Sequence, residues 1–284
     1  MRSGRRLLDV DGVTVEYPRG RRTPPLRAID GVSLTVHPRE TVGLVGESGS
    51  GKSTLGRAIL GLVAVRSGRI TFDGHDITHA RARDRRRLST DLQVVFQDPY
   101  SSLNSARTVA DTLAEPLRVH ERLSRAEVRG RVHAMLDRVG LFADAAGRYP
   151  RHFSGGQRQR IAIARALMLS PRLVICDEAV SALDLSIQAQ ILNLLLDLQE
   201  ELGVSYLFIS HDLAVVRHMS HRVVVLHDGK VVEAGTTEQV CDEPREPYTR
   251  ALLASAPVPD PALQRARRES RRGTTSEMVA VRYV

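Results

Sequence analysis

A glycine-rich loop at residues 46–54, Gly-Glu-Ser-Gly-Ser-Gly-Lys-Ser-Thr, constrains the fold of this chain more than any other feature. The short apolar run Thr41–Val45 precedes the loop, and a helical pattern of apolar residues starts at Ser53 and runs to Leu62. The loop fits G-x-x-x-x-G-K-[ST], in which glycines allow several backbone N–H groups to converge on one anion. A buried strand, a glycine loop and a helix in this order predict an α/β fold with a phosphate site at the helix start.

The loop residues carry specific expectations for a bound nucleotide. Lys52 can reach the β- and γ-phosphates, and the hydroxyl of Ser53 can ligate Mg²⁺. Lys52 is one of only two lysines among 41 basic residues, and its compact ammonium fits inside such a loop where a planar guanidinium would not. We assign ATP binding to Gly46, Glu47, Ser48, Gly49, Ser50, Gly51, Lys52, Ser53 and Thr54.

Two carboxylates follow a second apolar run. Leu173–Cys176 has the composition of a buried strand, and Asp177 and Glu178 come directly after it. Ligands of open α/β sheets bind at the carboxyl ends of strands, so both side chains are expected at the phosphate site. Asp177 is predicted to hold Mg²⁺, and Glu178 to act as the general base that activates water. Alone, the pair could be an acidic loop; together with the phosphate loop it indicates nucleotide hydrolysis.

The segment Phe153–Ile161 indicates the family. Its residues Ser154, Gly155, Gly156 and Gln157 resemble the signature motif of ABC ATPases, although Phe153 stands where leucine is commonest. The segment also lies at the distance before Asp177 at which that family carries it. A capped helix with a flexible entrance is the alternative for this segment taken alone.

The resemblance implies roles for four further residues. Gln97 matches the lever glutamine that contacts Mg²⁺ or its water and the membrane partner, and His211 matches the switch histidine near the γ-phosphate. Asp184 lies in a segment similar to the loop that crosses the dimer interface, where a helix N-cap is an alternative role. Tyr17 matches the aromatic residue that stacks on adenine, with a plain strand-edge tyrosine as the rival interpretation.

Three segments point to a subfamily. Phe96–Asn104, Tyr206–Leu213 and Pro247–Leu253 resemble the ATPases of oligopeptide and dipeptide importers, in particular the second of their two ATPase subunits. The expected function is therefore an ATP-binding and ATP-hydrolysing subunit that energises import of oligopeptides, dipeptides or a related small solute such as nickel. The ATPase of an ABC exporter, or a non-transport ABC ATPase, is the alternative. Two departures from that subfamily are expected: its frequent cysteine-containing C-terminal extension is missing, and residues after Pro261 diverge.

The resemblance implies a P-loop NTPase (RecA-like) core with a mainly parallel sheet, an N-terminal antiparallel β subdomain and a helical insert. Helical spacing of apolar residues predicts the insert at about residues 106–153, within one ABC ATPase domain at 1–256. The same spacing predicts a later amphipathic helix at Gln188–Leu202. The tail at 257–284 is rich in arginine and poor in apolar residues, so it is expected to be loosely ordered.

Partners and location follow from the same resemblance. Two ATPase subunits are expected head to tail, either this chain with a second related ATPase as a heterodimer or two copies as a homodimer. Each phosphate loop would then face Ser154–Gln157 of the other subunit. No apolar run approaches 18 residues, so we expect a peripheral protein at the cytoplasmic face of the cell membrane. Its expected partners are two integral membrane permease subunits and, indirectly, an extracytoplasmic solute-binding protein.

The net charge of +8 raises the question of nucleic acid. The densest basic run, Arg81–Arg87, has no interleaved aromatic residue, and arginine is frequent throughout the chain. A solvated face is the preferred interpretation of that run over nucleic-acid binding, and no nucleic-acid partner is predicted.

Overall fold

The computed structural model describes residues 5–20, 23–98 and 102–255. Its strands are β1 (Leu8–Tyr17), β2 (Leu26–Val36), β3 (Thr41–Val45), β4 (Ser67–Phe72), β5 (His75–Asp76), β6 (Leu92–Val95), β7 (Leu173–Asp177), β8 (Ser205–Ser210), β9 (Arg222–His227) and β10 (Lys230–Thr236). Its α-helices are α1 (Lys52–Ile59), α2 (Ala82–Leu88), α3 (Val109–His120), α4 (Arg125–Arg138), α5 (Gly155–Leu167), α6 (Leu185–Leu202), α7 (Leu213–Met219), α8 (Thr237–Cys241) and α9 (Pro247–Ser255). Two short 3₁₀ helices, Ala143–Gly147 and Pro150–His152, connect α4 to α5.

The larger sheet has the strand order β10-β9-β3-β8-β7-β6. Strands β9, β3, β8, β7 and β6 are parallel to one another, and β10 joins the edge as an antiparallel hairpin partner of β9. Every residue of β3, β7 and β8 is buried, which explains why these strands are continuous apolar runs in the sequence. The prediction of a mainly parallel sheet is confirmed, and it brings the carboxyl ends of β3, β7 and β8 to one edge.

The smaller sheet is antiparallel, with the order β2-β1-β4-β5. Its inward side chains, such as Val10 and Ile70, share one hydrophobic cluster with Leu55 of α1 and with Leu44 and Ile175 of the larger sheet. The phosphate-loop helix therefore lies between the two sheets. The predicted N-terminal antiparallel β subdomain is confirmed.

Helices α3 and α4 occupy the region predicted to be a helical insert. The apolar residues that gave the helical period, including Leu113, Leu117, Val132 and Leu136, are buried. Ser124 starts α4 with a reciprocal capping box to Glu127. The domain limits at 1–256 and the insert limits at about 106–153 stay predictions. The tail at 257–284 lies outside the described residues.

Three local predictions needed correction. Helix α1 ends at Ile59, and Leu62, which we expected within it, is 63% exposed. Helix α6 begins at Leu185, three residues before the predicted start, because the Asp184 carboxylate accepts the N–H of Ile187 and caps the helix there.

The third correction concerns the run Arg81–Arg87, most of which forms α2 with no buried residue. Arg85 is an exception to the predicted solvated face. Its guanidinium donates to the backbone carbonyl of Ile59 at 2.8 Å and also to that of Ile77. Burial lowers the pKa of Arg85 from its usual range. This arginine therefore joins α2 to the end of α1 instead of facing solvent.

A bidentate ion pair connects the two sheets. Arg172, just before β7, donates to both carboxylate oxygens of Asp73, in the turn after β4, at 2.6 and 3.1 Å. The hydrogen bonds and positive charges of Arg172 and, to a lesser extent, Arg5 hold the pKa of Asp73 at about 2, below its ordinary value. The carboxylate form thus contributes stability above pH about 4, and this contribution is lost as the pH falls towards 2.

We expect Asp73→Asn, which tolerates the positive φ of 49° at this turn, to lower the free energy of unfolding by about 1 kcal/mol at pH 7. Urea unfolding of both proteins between pH 7 and pH 3 measures this difference, which should shrink below pH about 4. The exposed Asp144→Asn serves as the control. A difference that stays constant over the whole range would show that the ionised pair does not cause it.

Candidate nucleotide site

The phosphate loop connects β3 to α1 along a path that only glycine can follow at two positions. Gly46 and Gly51 have φ angles of 153° and 103°. A Cβ atom at Gly46 would lie 2.1 Å from the carbonyl oxygen of Leu226, and one at Gly51 would lie 2.4 Å from that of Ala28. The loop is therefore pressed against β9 on one side and β2 on the other, and its backbone is held in a tight curve.

Lys52 lies inside this curve and is only 4% exposed. Its ammonium donates to the carbonyl oxygens of Gly46 and Glu47 at 2.8 and 2.7 Å, and to the Ser50 hydroxyl at 3.4 Å. Burial lowers the pKa of Lys52, while the carboxylates of Glu178, Asp177 and Glu47 act in the opposite direction. The loop thus concentrates one positive charge beside its own backbone N–H groups, an arrangement suited to phosphate.

Ser53 and Asp177 form the second part of the site. The Ser53 hydroxyl donates to Oδ1 of Asp177 at 2.7 Å, which joins the start of α1 to the end of β7. Burial raises the pKa of Asp177, and the Ser53 hydrogen bond and the charges of Arg57 and Lys52 oppose that rise. Both side chains present oxygen, the donor that Mg²⁺ prefers.

In the described part of the chain, no group of three or more His, Cys, Asp or Glu residues forms a metal site by itself. Magnesium at nucleotide sites usually takes one or two protein ligands and completes its coordination with phosphate oxygens and water. The Ser53–Asp177 pair fits this pattern.

Glu178 occupies an unusual backbone position at the end of β7. Its φ is +51°, which is uncommon for a residue other than glycine, and its N–H donates to the carbonyl of Ile209 in β8 at 3.0 Å. Its carboxylate accepts from Nε2 of Gln97 at 3.0 Å and lies 3.6 Å from Nδ1 of His211. Gln97 and His211, each predicted from a separate motif, therefore both contact the carboxylate of Glu178. The three residues lie at the ends of β6, β8 and β7, respectively.

Tyr17 ends β1 beside the same helix. Its hydroxyl lies 3.5 Å from Oγ1 of Thr54, and its half-buried ring packs against the cluster between the sheets. The tyrosine is thus adjacent to the phosphate loop. Both interpretations, adenine platform and strand-edge tyrosine, are compatible with this position, and the stacking role stays a prediction.

Ser154 and Asp184 lie at a different surface. Ser154 caps α5 through a reciprocal pair of hydrogen bonds with Gln157, at 3.3 and 3.0 Å. Gly156 is packed so tightly on α6 that a Cβ would lie 2.4 Å from the Cγ2 atom of Ile187. Ser154, Gln157 and Asp184 are exposed, and among the described residues no hydrogen bond joins them to the phosphate loop. The N-cap alternative for Asp184 is confirmed, and a role across an interface remains open to it.

Two contacts on the phosphate loop were not expected from the sequence. The N–H of Glu47 donates to the hydroxyl of Tyr248, which is 201 residues away in α9, at 3.2 Å. The N–H of Gly229, in the turn between β9 and β10, donates to the carbonyl of Ser50 at 3.1 Å. The sequence of Pro247–Leu253 indicated a subfamily. The residues around Tyr248 carry no pattern that would predict its contact with the phosphate loop.

Two family models match the chain. The ABC transporter model matches residues 29–181, and the model of the oligopeptide/dipeptide transporter C-terminal region matches residues 232–280. The second match continues to residue 280, so the C-terminal region of this subfamily is recognised beyond Pro261, where divergence was expected, although no cysteine follows Cys241.

Relatives of known function agree with these matches. The oligopeptide transport ATP-binding protein OppF of Salmonella typhimurium is 54% identical over 245 residues, which cover 85% of this chain and 73% of OppF. The glutathione import ATP-binding protein GsiA of Escherichia coli strain K12 is 50% identical over 270 residues. That alignment covers 93% of this chain but 43% of GsiA.

Solved structures share the fold. The cbiO1 protein of Clostridium perfringens, part of the ABC transporter complex cbiONQ, superposes with a TM-score of 0.74 at 30% identity and covers 84% of this chain and 91% of its own. The ATP-binding cassette MJ0796, solved as a dimer in a post-hydrolysis state bound to ADP and Pi, gives a TM-score of 0.73 at 30% identity, with 81% and 98% covered. Across the described ranges, each helix is too short or too polar to cross a bilayer. The chain belongs to the ABC transporter family, as an ATP-binding and ATP-hydrolysing component of the importer type.

Proposed function

We propose that this chain hydrolyses Mg²⁺-ATP at residues 46–54, Asp177 and Glu178 to energise import of oligopeptides, dipeptides or a related small solute. The carrying observation is that Lys52, the Ser53–Asp177 pair and Glu178 meet at the carboxyl edge of one parallel sheet. The solute class rests on the oligopeptide/dipeptide C-terminal model and on relatives whose names state oligopeptide transport and glutathione import.

In the proposed site, the backbone N–H groups from Gly49 to Thr54 and the ammonium of Lys52 bind the β- and γ-phosphates. Ser53 and Asp177 hold Mg²⁺, with Gln97 as a further ligand directly or through water. When bound, Mg²⁺ supplies charge neutralisation at the phosphate oxygens. Tyr17 supports the adenine ring at the other end of the nucleotide, next to Thr54.

Glu178 is the proposed general base. The backbone bond to Ile209 fixes the peptide at its positive φ, and the contacts from Gln97 and His211 orient the carboxylate. A carboxylate held in this way can accept the proton of a water molecule as the water attacks the γ-phosphorus. His211 also adds a donor that can approach the γ-phosphate.

The exposed side chains of Ser154, Gln157 and Asp184 suit contacts to a second subunit. In the proposed arrangement two subunits face each other head to tail, so each ATP touches the phosphate loop of one and Ser154–Gln157 of the other. ATP then binds the closed dimer more tightly than the separated subunits, and hydrolysis removes this difference. Such a difference in affinity between two states is what a switch requires. The MJ0796 cassette, solved as a dimer bound to ADP and Pi, supports a two-subunit assembly by analogy.

The proposed partners are a second related ATPase or another copy of this chain, two integral membrane permeases and, indirectly, an extracytoplasmic solute-binding protein. The proposed location is the cytoplasmic face of the membrane. An exporter is the alternative, and the direction of transport separates the two.

Uptake of labelled peptides tests this proposal in cells that lack the chain. We expect the wild-type gene to restore uptake of labelled dipeptides or oligopeptides, and the Lys52→Ala gene to restore none. Tagged wild-type protein, purified from the same membranes in gentle detergent with ATP, should carry two permeases and its partner ATPase. Labelled nickel and glutathione, tested in parallel, identify the solute if it is not a peptide.

Two results would contradict import. Restored efflux without restored uptake would support the exporter alternative. Equal uptake with the wild-type and Lys52→Ala genes would mean that this ATPase does not power the transport.

A further inference from the structure

The phosphate loop is hydrogen-bonded to helix α9, which follows all the ATPase motifs in the sequence. Tyr248 of α9 accepts a hydrogen bond from the N–H of Glu47, the second residue of the loop, at 3.2 Å. The carbonyl oxygen of Glu47 accepts a hydrogen bond from the Lys52 ammonium at 2.7 Å. One peptide segment thus links a tyrosine of the C-terminal region to the lysine that faces the phosphates.

The tyrosine is itself held in place. Its ring packs on the imidazole of His227 with 3.9 Å between centroids and 30° between planes. His227 ends β9, and the following turn has φ angles of 46° at Asp228 and 75° at Gly229, as a tight hairpin turn requires. Gly229 donates to the carbonyl of Ser50 at 3.1 Å, so the hairpin and Tyr248 contact the loop at two points.

The helix that carries Tyr248 is anchored at its start. The carboxylate of Glu233, in β10, accepts the N–H groups of Arg245 and Glu246 at 2.8 and 3.3 Å, immediately before α9. Leu252, one turn beyond Tyr248, is buried in the larger hydrophobic cluster. The position of the Tyr248 hydroxyl is therefore determined by packing and not by its bond to Glu47.

We propose that Tyr248 is a positioning residue of the nucleotide site, through which the C-terminal region holds the entrance of the phosphate loop in its phosphate-binding shape. The inference rests on the proposed role of the loop. With Tyr248, the nucleotide site includes a residue of the C-terminal region, whose family model begins to match at residue 232. The ABC transporter model ends its match at residue 181. Without this hydrogen bond the loop has more conformations available. ATP binding must then order the loop, and the lost conformational entropy weakens the binding free energy.

The test is Tyr248→Phe in the full chain, which keeps the ring on His227 and removes only the hydroxyl. Loss of one hydrogen bond of this kind predicts a rise of about 3- to 10-fold in the Kd of a fluorescent ATP analogue with Mg²⁺. In the assembled transporter the KM for ATP should rise by the same factor, while kcat stays within about twofold. The melting temperature without nucleotide should stay close to that of the wild type.

Tyr149→Phe is the matched control, because its ring pairs with His152 and it lies outside the nucleotide site. This variant should bind the analogue like the wild type. An unchanged Kd in Tyr248→Phe, with a wild type that binds normally, would overturn the inference and leave the proposed function intact. A wild type that fails to bind the analogue would overturn both. A reduced kcat with an unchanged KM would also contradict a positioning role.

Discussion

Replacing Glu178 by glutamine is expected to reduce ATP hydrolysis by about 10²- to 10⁴-fold, the usual contribution of a positioned general base. Glutamine keeps the shape of the side chain and one acceptor for Gln97, but it cannot take a proton from water. The loop, Lys52 and the Ser53–Asp177 pair are unchanged, so ATP should still bind. Because ATP holds the two proposed subunits together, the variant should accumulate as an ATP-bound dimer.

Gel filtration with and without Mg²⁺-ATP measures this dimer, with the partner ATPase added if the chain does not self-associate. Glu200→Gln, on an exposed position of α6, is the control and should hydrolyse ATP normally. Near-normal turnover in Glu178→Gln would remove Glu178 from its role. Lost turnover without any ATP-dependent dimer would instead contradict the head-to-tail arrangement.

The second large effect is expected at Lys52. Lys52 is only 4% exposed inside the loop. Lys52→Ala removes its ammonium, the two hydrogen bonds to the carbonyl oxygens of Gly46 and Glu47, and the proposed contact with phosphate. Hydrogen bonds to charged groups contribute about 1.5–3 kcal/mol, so ATP affinity should fall by about 10- to 150-fold. Hydrolysis should fall below detection, because the γ-phosphate loses its nearest positive charge.

Isothermal titration and phosphate release measure the two effects separately. The other lysine of the chain supplies the control, since Lys230→Ala removes an exposed ammonium paired with Asp30 at 3.3 Å. Lys52→Arg should be nearly as inactive as Lys52→Ala, because the guanidinium is too wide for the curve between Gly46 and Gly51. Normal turnover in Lys52→Ala would contradict the assignment of the loop.

Much of this site could be predicted because its parts are contiguous in sequence. The curve of residues 46–54 depends on its own glycines, and the carboxylates of Asp177 and Glu178 directly follow the strand that presents them. Strands buried on both faces appear as apolar runs, so β3, β7 and β8 could be recognised without tertiary information.

The remaining features depend on contacts between distant segments. The positive φ of Glu178 requires its bond to Ile209 in the neighbouring strand, which no local propensity indicates. The hydrogen bond between Glu47 and Tyr248 joins residues 201 positions apart, and the hydrogen bond of Arg85 to Ile59 depends on where the end of α1 lies. Arginine in a basic run looks solvated from sequence alone, because its hydrogen-bond acceptors are backbone carbonyls and carry no sequence signal.

The most direct test of ATP binding and hydrolysis at this site compares bound nucleotide with released phosphate in one experiment. Wild-type protein, Lys52→Ala and Glu178→Gln are each incubated with γ-labelled ATP and Mg²⁺, together with the partner ATPase. We expect binding and release for the wild type, binding weakened by about 10- to 150-fold with no release for Lys52→Ala, and binding without release for Glu178→Gln. Release of labelled phosphate by Glu178→Gln at the wild-type rate, or by Lys52→Ala at any comparable rate, would contradict it.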